Sequence, residues 1–269
     1  MKTLGIAIAL TLLSLPFWGQ TPSLVLTGPE QTLINQKGCM KAVFSNTDDV
    51  GFQPYIRVLI PPELASVTEG TLFGEEISGI SYHGAVTEPT KTDPNIPQAY
   101  PDLRNFAAPL GYKYYNINLP VGTVLPNELT LDVGFCSLLN SNAVINEPVE
   151  IIATPVFRFG NDPFGESAPA VGTSVSFWIE PIAFQATGGV SPGNITTGSC
   201  WDVEHSVTVN VAEDLWMNDL AIDIDLPDSL IYNGLVDMTP GCFLTSEPAT
   251  GTTGGTIGLE CSNLVGTDD

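Results

Sequence analysis

Two-residue alternation is the feature that most narrows the folds open to this chain. Ala221-Ile222-Asp223-Ile224-Asp225-Leu226 puts its large apolar side chains on one face of an extended strand and its carboxylates on the other. Short runs of the same strand-forming kind recur at Ser23-Leu24-Val25-Leu26, Leu129-Thr130-Leu131-Asp132-Val133, Val149-Glu150-Ile151-Ile152-Ala153 and Ser206-Val207-Thr208-Val209. Between them stand 26 glycines and 22 prolines, which punctuate a chain with turns, while charged residues are only 14% of the total and starve helices of their best formers. No amphipathic helix longer than a turn or two follows the first twenty residues. The expected class is all-β, a sandwich or barrel.

An internal repeat sets the organisation. Pro22-Ser23-Leu24-Val25-Leu26, Gly38-Cys39 and Ile56-Arg57-Val58-Leu59-Ile60-Pro61-Pro62-Glu63-Leu64 are echoed by Pro181-Ile182-Ala183-Phe184, Ser199-Cys200 and Ile222-Asp223-Ile224-Asp225-Leu226-Pro227-Asp228-Ser229-Leu230. Phe135-Cys136-Ser137 likewise finds a counterpart in Glu260-Cys261-Ser262. Two domains in tandem are expected, over residues 20–165 and 173–269, joined through the Gly/Pro/Ser-rich stretch from Gly160 to Gly172. The first copy has a long middle from about Thr68 to Leu110 that the second lacks. The second copy ends soon after Cys261, and the expectation is that it is C-terminally incomplete.

Leu226-Pro227-Asp228-Ser229-Leu230, Gly241-Cys242 and Leu259-Glu260-Cys261-Ser262-Asn263-Leu264-Val265-Gly266-Thr267 resemble the conserved Ig-like repeat of unknown function, the class numbered eleven among such domains. That repeat occurs in tandem on bacterial secreted and surface proteins. The resemblance implies two Ig-like β-sandwich domains following a signal peptide. It also implies a non-enzymatic, adhesin-like role as spacer or display module, with an unknown protein or polysaccharide at the cell surface as partner.

Compartment is read from the N-terminus. Met1-Lys2, the uncharged apolar run from Leu4 to Leu15 and the small residue Gly19 have the layout of a secretory signal, residues 1–19, too short to span a bilayer. No membrane span is expected in the mature chain, which should be secreted or held at the cell surface. There disulfides persist. Cys39 and Cys136 are the only cysteines of the first domain and are expected to pair. In the second, Cys242 and Cys261 flank Gly251-Thr252 almost symmetrically, as a hairpin would place them, whereas the repeat equates Cys200 with Cys39 and leaves Cys200–Cys261 open. A net charge of −22 removes the basic patch that nucleic-acid binding needs.

Chemistry finds little to build on. Two histidines, His83 and His205, show no metal-ligand spacing, and Gly79-Ile80-Ser81-Tyr82-His83-Gly84 misses the nucleophile-elbow pattern by one residue, so no enzyme and no obligatory cofactor are expected. Calcium is the one cation considered, with Asp162 and Glu166 as oxygen ligands on a flexible turn beside Asn161; a solvated linker is the other reading. Tyr112, Tyr114 and Tyr115 beside Asn116 and Asn118, with Trp201 and Trp216, offer either a stacking platform for sugars or ordinary core packing. The platform would make the chain a carbohydrate-binding accessory module of a larger secreted protein.

Overall fold

The computed structural model describes residues 21–162, 164, 167–191, 202–213, 215–235 and 237–266. Residues 1–19, expected to be a signal, and Glu166, Cys200 and Trp201 lie outside the described residues. The first seven strands are β1 (Pro22–Thr27), β2 (Gln31–Leu33), β3 (Lys37–Asn46), β4 (Gly51–Ile60), β5 (Glu69–Leu72), β6 (Glu75–Glu76) and β7 (Ile80–Ala85). Then come β8 (Thr90–Thr92), the one-turn helix α1 (Pro101–Arg104), β9 (Asn105–Ala107), β10 (Lys113–Asn118) and β11 (Thr123–Val124). β12 (Leu131–Leu138), β13 (Val149–Phe159), β14 (Ala170–Val171) and β15 (Val175–Ile182) follow. The remainder is β16 (Phe184–Ser191), β17 (Glu204–Val211), β18 (Trp216–Met217), β19 (Leu220–Ile231), β20 (Cys242–Ser246), β21 (Thr253–Cys261) and β22 (Leu264–Val265). With 58% of residues in strands, the all-β class read from alternation is the class of the protein.

Two sheets enclose the main core. One runs β1-β3-β12-β5-β6, the other β2-β15-β13-β4-β10-β7. Alternate residues of facing strands meet between them: Met40, Ala42 and Phe44 from β3, Leu131, Val133 and Phe135 from β12, Ile56, Val58 and Ile60 from β4, Ile151, Ala153 and Phe157 from β13. Burying each of the larger apolar side chains contributes about 1.5–3 kcal/mol, so this layer outweighs any single polar contact in the molecule. Phe157 meets Phe44 edge to face at 5.3 Å and lies over Gly51, where a side chain would collide with its ring. Pro155 is tolerated inside β13 because the neighbouring strand is interrupted there, β14 pairing at Val156 and β15 stopping at Ala153.

The boundary between the two units is corrected by the sheet order. The strand Val175–Ile182, placed by the sequence in the second domain, pairs antiparallel with β13 from Val149↔Ile179 to Ala153↔Val175 and parallel with β2 at Glu180↔Gln31. Gly160 to Gly172 is therefore no interdomain linker but the connection that lets the chain return along its own sheet. Its end is pinned where Gly172, N–H donating to Pro155 O, packs so close to the Pro22 carbonyl that no side chain fits. Ala183 alone separates β15 from β16, and its carbonyl accepts the N–H of Ala212 at 2.7 Å.

Beyond Ala183 the strands form separate small sheets: the hairpin β16-β17, the pair β18-β22 and the three-stranded β19-β21-β20. Glu69 in the first unit and Cys242 in the second stand opposite the matched cysteines Cys136 and Cys261, so β20 is the counterpart of β5. The other edge of β21 is taken by β19, where the first unit has β3 against β12. Among the described residues β17, the counterpart of β3, pairs with β16 alone.

Both disulfides join residues directly opposite each other on antiparallel neighbours. Cys39 and Cys136 link β3 to β12 with Cα atoms 4.1 Å apart, and Cys242 and Cys261 link β20 to β21 at 3.9 Å. The bond to Cys242 occupies the Cys261 sulfur and removes the Cys200–Cys261 alternative. The links close loops of very different length, with sequence separations of 97 and 19. Replacing Cys39 and Cys136 together by Ala is expected to cost about 4–5 kcal/mol, and Cys242 with Cys261 about 3 kcal/mol, on loop-closure entropy. Urea unfolding of each variant checks this; equal losses, or the larger loss at the shorter loop, would contradict it.

Candidate functional site

The long middle of the first unit covers the outer face of the larger sheet. Strand β4 is buried on both sides, Ile56, Val58 and Ile60 toward the sandwich and Tyr55, Arg57 and Leu59 away from it. Above that second face, Val86 and Ala108 pack with Leu59 and Tyr114, and Ile96, with Tyr100 and Leu103, packs on Tyr55 and Val156. These residues come from the segment Val86 to Ala108, most of them from the stretches that flank and connect β8, α1 and β9, so the insertion acts as a third layer.

One polar group organises the contact. Asp93, 0% exposed, lies beside the Arg57 guanidinium, with Nη2 at 2.9 Å and Nε donating at 3.0 Å to the same oxygen, Oδ2. Tyr55 donates its hydroxyl to Oδ2 at 2.9 Å, while the Asn116 side-chain amide and the Asn95 backbone N–H each donate to Oδ1 at 3.0 Å. The Asp93 backbone is held as well, its N–H donating to Arg104 O and its carbonyl accepting Arg104 Nε. Arg57 is sandwiched further, its Cζ 3.9 Å from the centre of the Phe106 ring. A buried ion pair is stable only when its hydrogen bonding is largely met; four donors, Arg57 Nε, Tyr55, Asn116 and Asn95, meet the carboxylate, and Arg57 Nη2 adds its charge at 2.9 Å without a hydrogen bond.

Electrostatics follow from that geometry. Burial alone would raise the Asp93 pKa, but the Arg57 charge and the donors from Asn116, Asn95 and Tyr55 outweigh it and hold the carboxyl below its usual range. Burial, with the Asp93 charge beside it, pushes the Tyr55 phenol far up, so that it stays a donor. Burial against Tyr114, ring centres 4.9 Å apart, lowers His83. His83 and Ser81 belong to β7, which pairs with β10 through a register shift between Tyr82 and Ala85, and the near-miss elbow is thus an irregular edge strand with no strand-to-helix turn.

The tyrosine platform is core. Tyr114 and Tyr115 point to opposite faces of β10, Tyr114 under the insertion and Tyr115 into the sandwich, and Asn116 is fully buried on Asp93. Trp216, 70% exposed on β18, stands apart from them. Asp162 caps its own turn, accepting the Phe164 N–H at 2.8 Å while its own N–H donates to Ser167 Oγ at 3.0 Å. A cation held there would stiffen a loop of the first unit and not a junction, because β15 returns to the same sheet. Among the described residues no three potential metal ligands gather in one place.

The joint between the units forms a cleft of about 690 Å³ lined by Ile34, Asn35, Leu138, Val144, Glu213 and Leu215, among others. Asn35 Nδ2 donates across it to Glu213 O at 3.3 Å, and Leu215 packs against the core of the first unit. Neither Asp93 nor this joint was singled out from the sequence. Arg57 inside the apolar run Tyr55–Ile60 was the available sign that an acid must lie buried nearby.

No protein-family pattern and no curated protein matches the chain. Among solved structures it is similar to a cohesin module of a Clostridium perfringens family 33 glycoside hydrolase, with 9% identity over 60% of this chain and 97% of that one, at a TM-score of 0.36. It is also similar to the 35 kDa C-terminal fragment of the Streptococcus agalactiae major pilin GBS80, with 9% identity over 91% and 79%, at 0.33. The Bacillus cereus major pilin BcpA, as its D312A form, gives 8% over 90% and 56%, at 0.31. Scores this low carry no argument about the role of the chain. No helix among the described residues is long and apolar enough to cross a membrane.

Because the Asp93 carboxyl is depressed in the fold, its stabilising contribution is complete above its unfolded pKa, about 3.9, and is lost as pH falls through the lower folded value. Asp93→Asn is expected to cost about 3–5 kcal/mol at neutral pH by leaving the Arg57 charge buried without its partner. Urea unfolding of both proteins between pH 7 and pH 2 should show the gap narrowing at the acid end. A gap independent of pH would contradict the assignment.

Proposed function

We propose that this chain is a secreted or cell-surface protein without enzymatic activity, whose tandem Ig-like units serve as a spacer and display module. The observation that carries the reading is the joint: one residue, Ala183, separates the last strand of one unit from the first of the next, and its carbonyl is itself hydrogen-bonded. A chain that must hold two units at a fixed attitude gains from a connection this short, since each added flexible residue widens the range of orientations. Two cross-strand disulfides fit an oxidising compartment. The Pro-ended strands shared by both copies support the Ig-like repeat class numbered eleven as its family.

Protease applied to intact producing cells, or assay of their medium, should find the protein outside the cytoplasm. Spin labels introduced by Glu88→Cys in the first unit and Thr250→Cys in the second, in a chain carrying Cys200→Ser so that no third thiol is labelled, should give a single narrow distance distribution. A cytoplasmic location would overturn the display role, and a broad distribution the spacer role. The exposed ring of Trp216 keeps one distinct outcome in view. Binding to an insoluble polysaccharide that Trp216→Ala abolishes would make the chain a carbohydrate-binding accessory module.

A further inference from the structure

The two copies of the Pro-ended strand differ in what covers them. Ile56-Arg57-Val58-Leu59-Ile60-Pro61 in β4 corresponds to Ile222-Asp223-Ile224-Asp225-Leu226-Pro227 in β19. Strand β4 is hydrogen-bonded along both edges, to β13 and to β10, and its outer face is closed by the insertion through Asp93 on Arg57. Among the described residues β19 is paired along one edge only, to β21. Its apolar face, Leu220, Ile222, Ile224 and Leu226, stays half-exposed, and Ala221, Asp223 and Asp225 on the other face are exposed.

Charge at the matched position is inverted. Where the first unit has Arg57 met by an acid, the second has Asp223, with Asp225 two residues on and Glu260 beside Ala221 on the neighbouring strand. No Lys or Arg occurs after Arg158, so this unit holds no cation to offset them. Open strand edges are ordinarily blunted by Lys, Pro or a bulge. Here Pro227 and the register shift after Leu226 close only the far end, leaving Leu220–Leu226 as a straight edge.

We propose that this edge of β19 is a docking site for an extended cationic segment of a partner protein, which adds as a strand with Lys or Arg at alternate positions over Asp223 and Asp225. Its intervening apolar side chains extend the face of Ile222 and Ile224. Main-chain hydrogen bonds supply affinity and the side-chain alternation supplies selectivity, as in other strand-addition complexes. Cross-strand neighbours on one face stand about 4.5–5.5 Å apart, within reach of a Lys–Asp pair. A second copy of the chain is a poor occupant, because edge-to-edge pairing would set Asp223 and Asp225 against the same carboxylates in a molecule of net charge −22. The inference goes beyond the spacer and display reading and does not rest on it.

The test uses the full chain and a labelled synthetic peptide of alternating Lys and Val, about seven residues long to match a typical strand. Three comparisons accompany it: the same peptide with alternate backbone amides methylated, the same composition with Lys and Val in two blocks, and the protein variant Asp223→Asn/Asp225→Asn. Fluorescence anisotropy should show saturable binding of the alternating peptide, weakened about tenfold or more by methylation, by block order or by the double substitution, a tenfold change being about 1.4 kcal/mol. Hydrogen exchange should slow at the amides of residues 220–226 when that peptide is bound. Equal binding of the methylated or block peptide would reduce the interaction to charge attraction and overturn the proposal. So would absence of binding, or exchange unchanged at the edge. Sedimentation showing a dimer lost in the double variant would overturn it in favour of self-association.

Discussion

A guanidinium in the middle of an apolar strand is the constraint on which the first unit depends. Arg57 alternates with Ile56 and Val58, so once those residues enter the sandwich its side chain must leave on the opposite face. A lone strand in a two-layer fold would give it to water. Here Asp93 is brought over it, and with Asp93 come the hairpin β8-β9, α1 and the apolar residues that seal Leu59 and Tyr114. Removing either charge alone leaves the other stranded in low dielectric, which is why the pair fixes the place of the insertion even though an apolar pair could match its stability.

The second unit shows the same strand without that cover. The matched residue is an acid, and the exposed edge of β19 with its half-buried apolar face is what remains. The disulfide has also changed sides. In the first unit the matched cysteine strand is linked to β3, in the second to the counterpart of β5. Each link lies within one sheet, so neither depends on the two faces of a sandwich being closed. The second three-stranded sheet is thus stapled independently of whatever packs on it.

Much of this was legible in residue order. Alternation located β19, β12 and β17, and the near-symmetry of Cys242 and Cys261 about Gly251 gave their pairing. Periodicity identifies a strand but not its partner, so Ser174-Val175-Ser176-Phe177 read as the start of a second domain although β15 completes the first. Gly160–Gly172 has the composition of a linker because a loop returning along a sheet needs the same turn residues. Tyr114 and Asn116 left a sugar platform open beside core packing, because nothing local reveals that residues 86–110 fold over them. Arg57 was a sign of a buried acid that went unread, and with Asp+Glu 30 in the chain no rule of spacing could have selected Asp93.

The most direct measurement is residue-resolved hydrogen exchange on wild type and Asp93→Ala at neutral pH. If Asp93 holds the third layer on Arg57, protection should fall sharply across residues 86–110 and at β7, while the amides shared by β3 and β12 keep theirs, stapled as they are by Cys39–Cys136. Protection retained across residues 86–110 would contradict the account, for it would mean that apolar packing alone seats the insertion and that the buried pair is incidental.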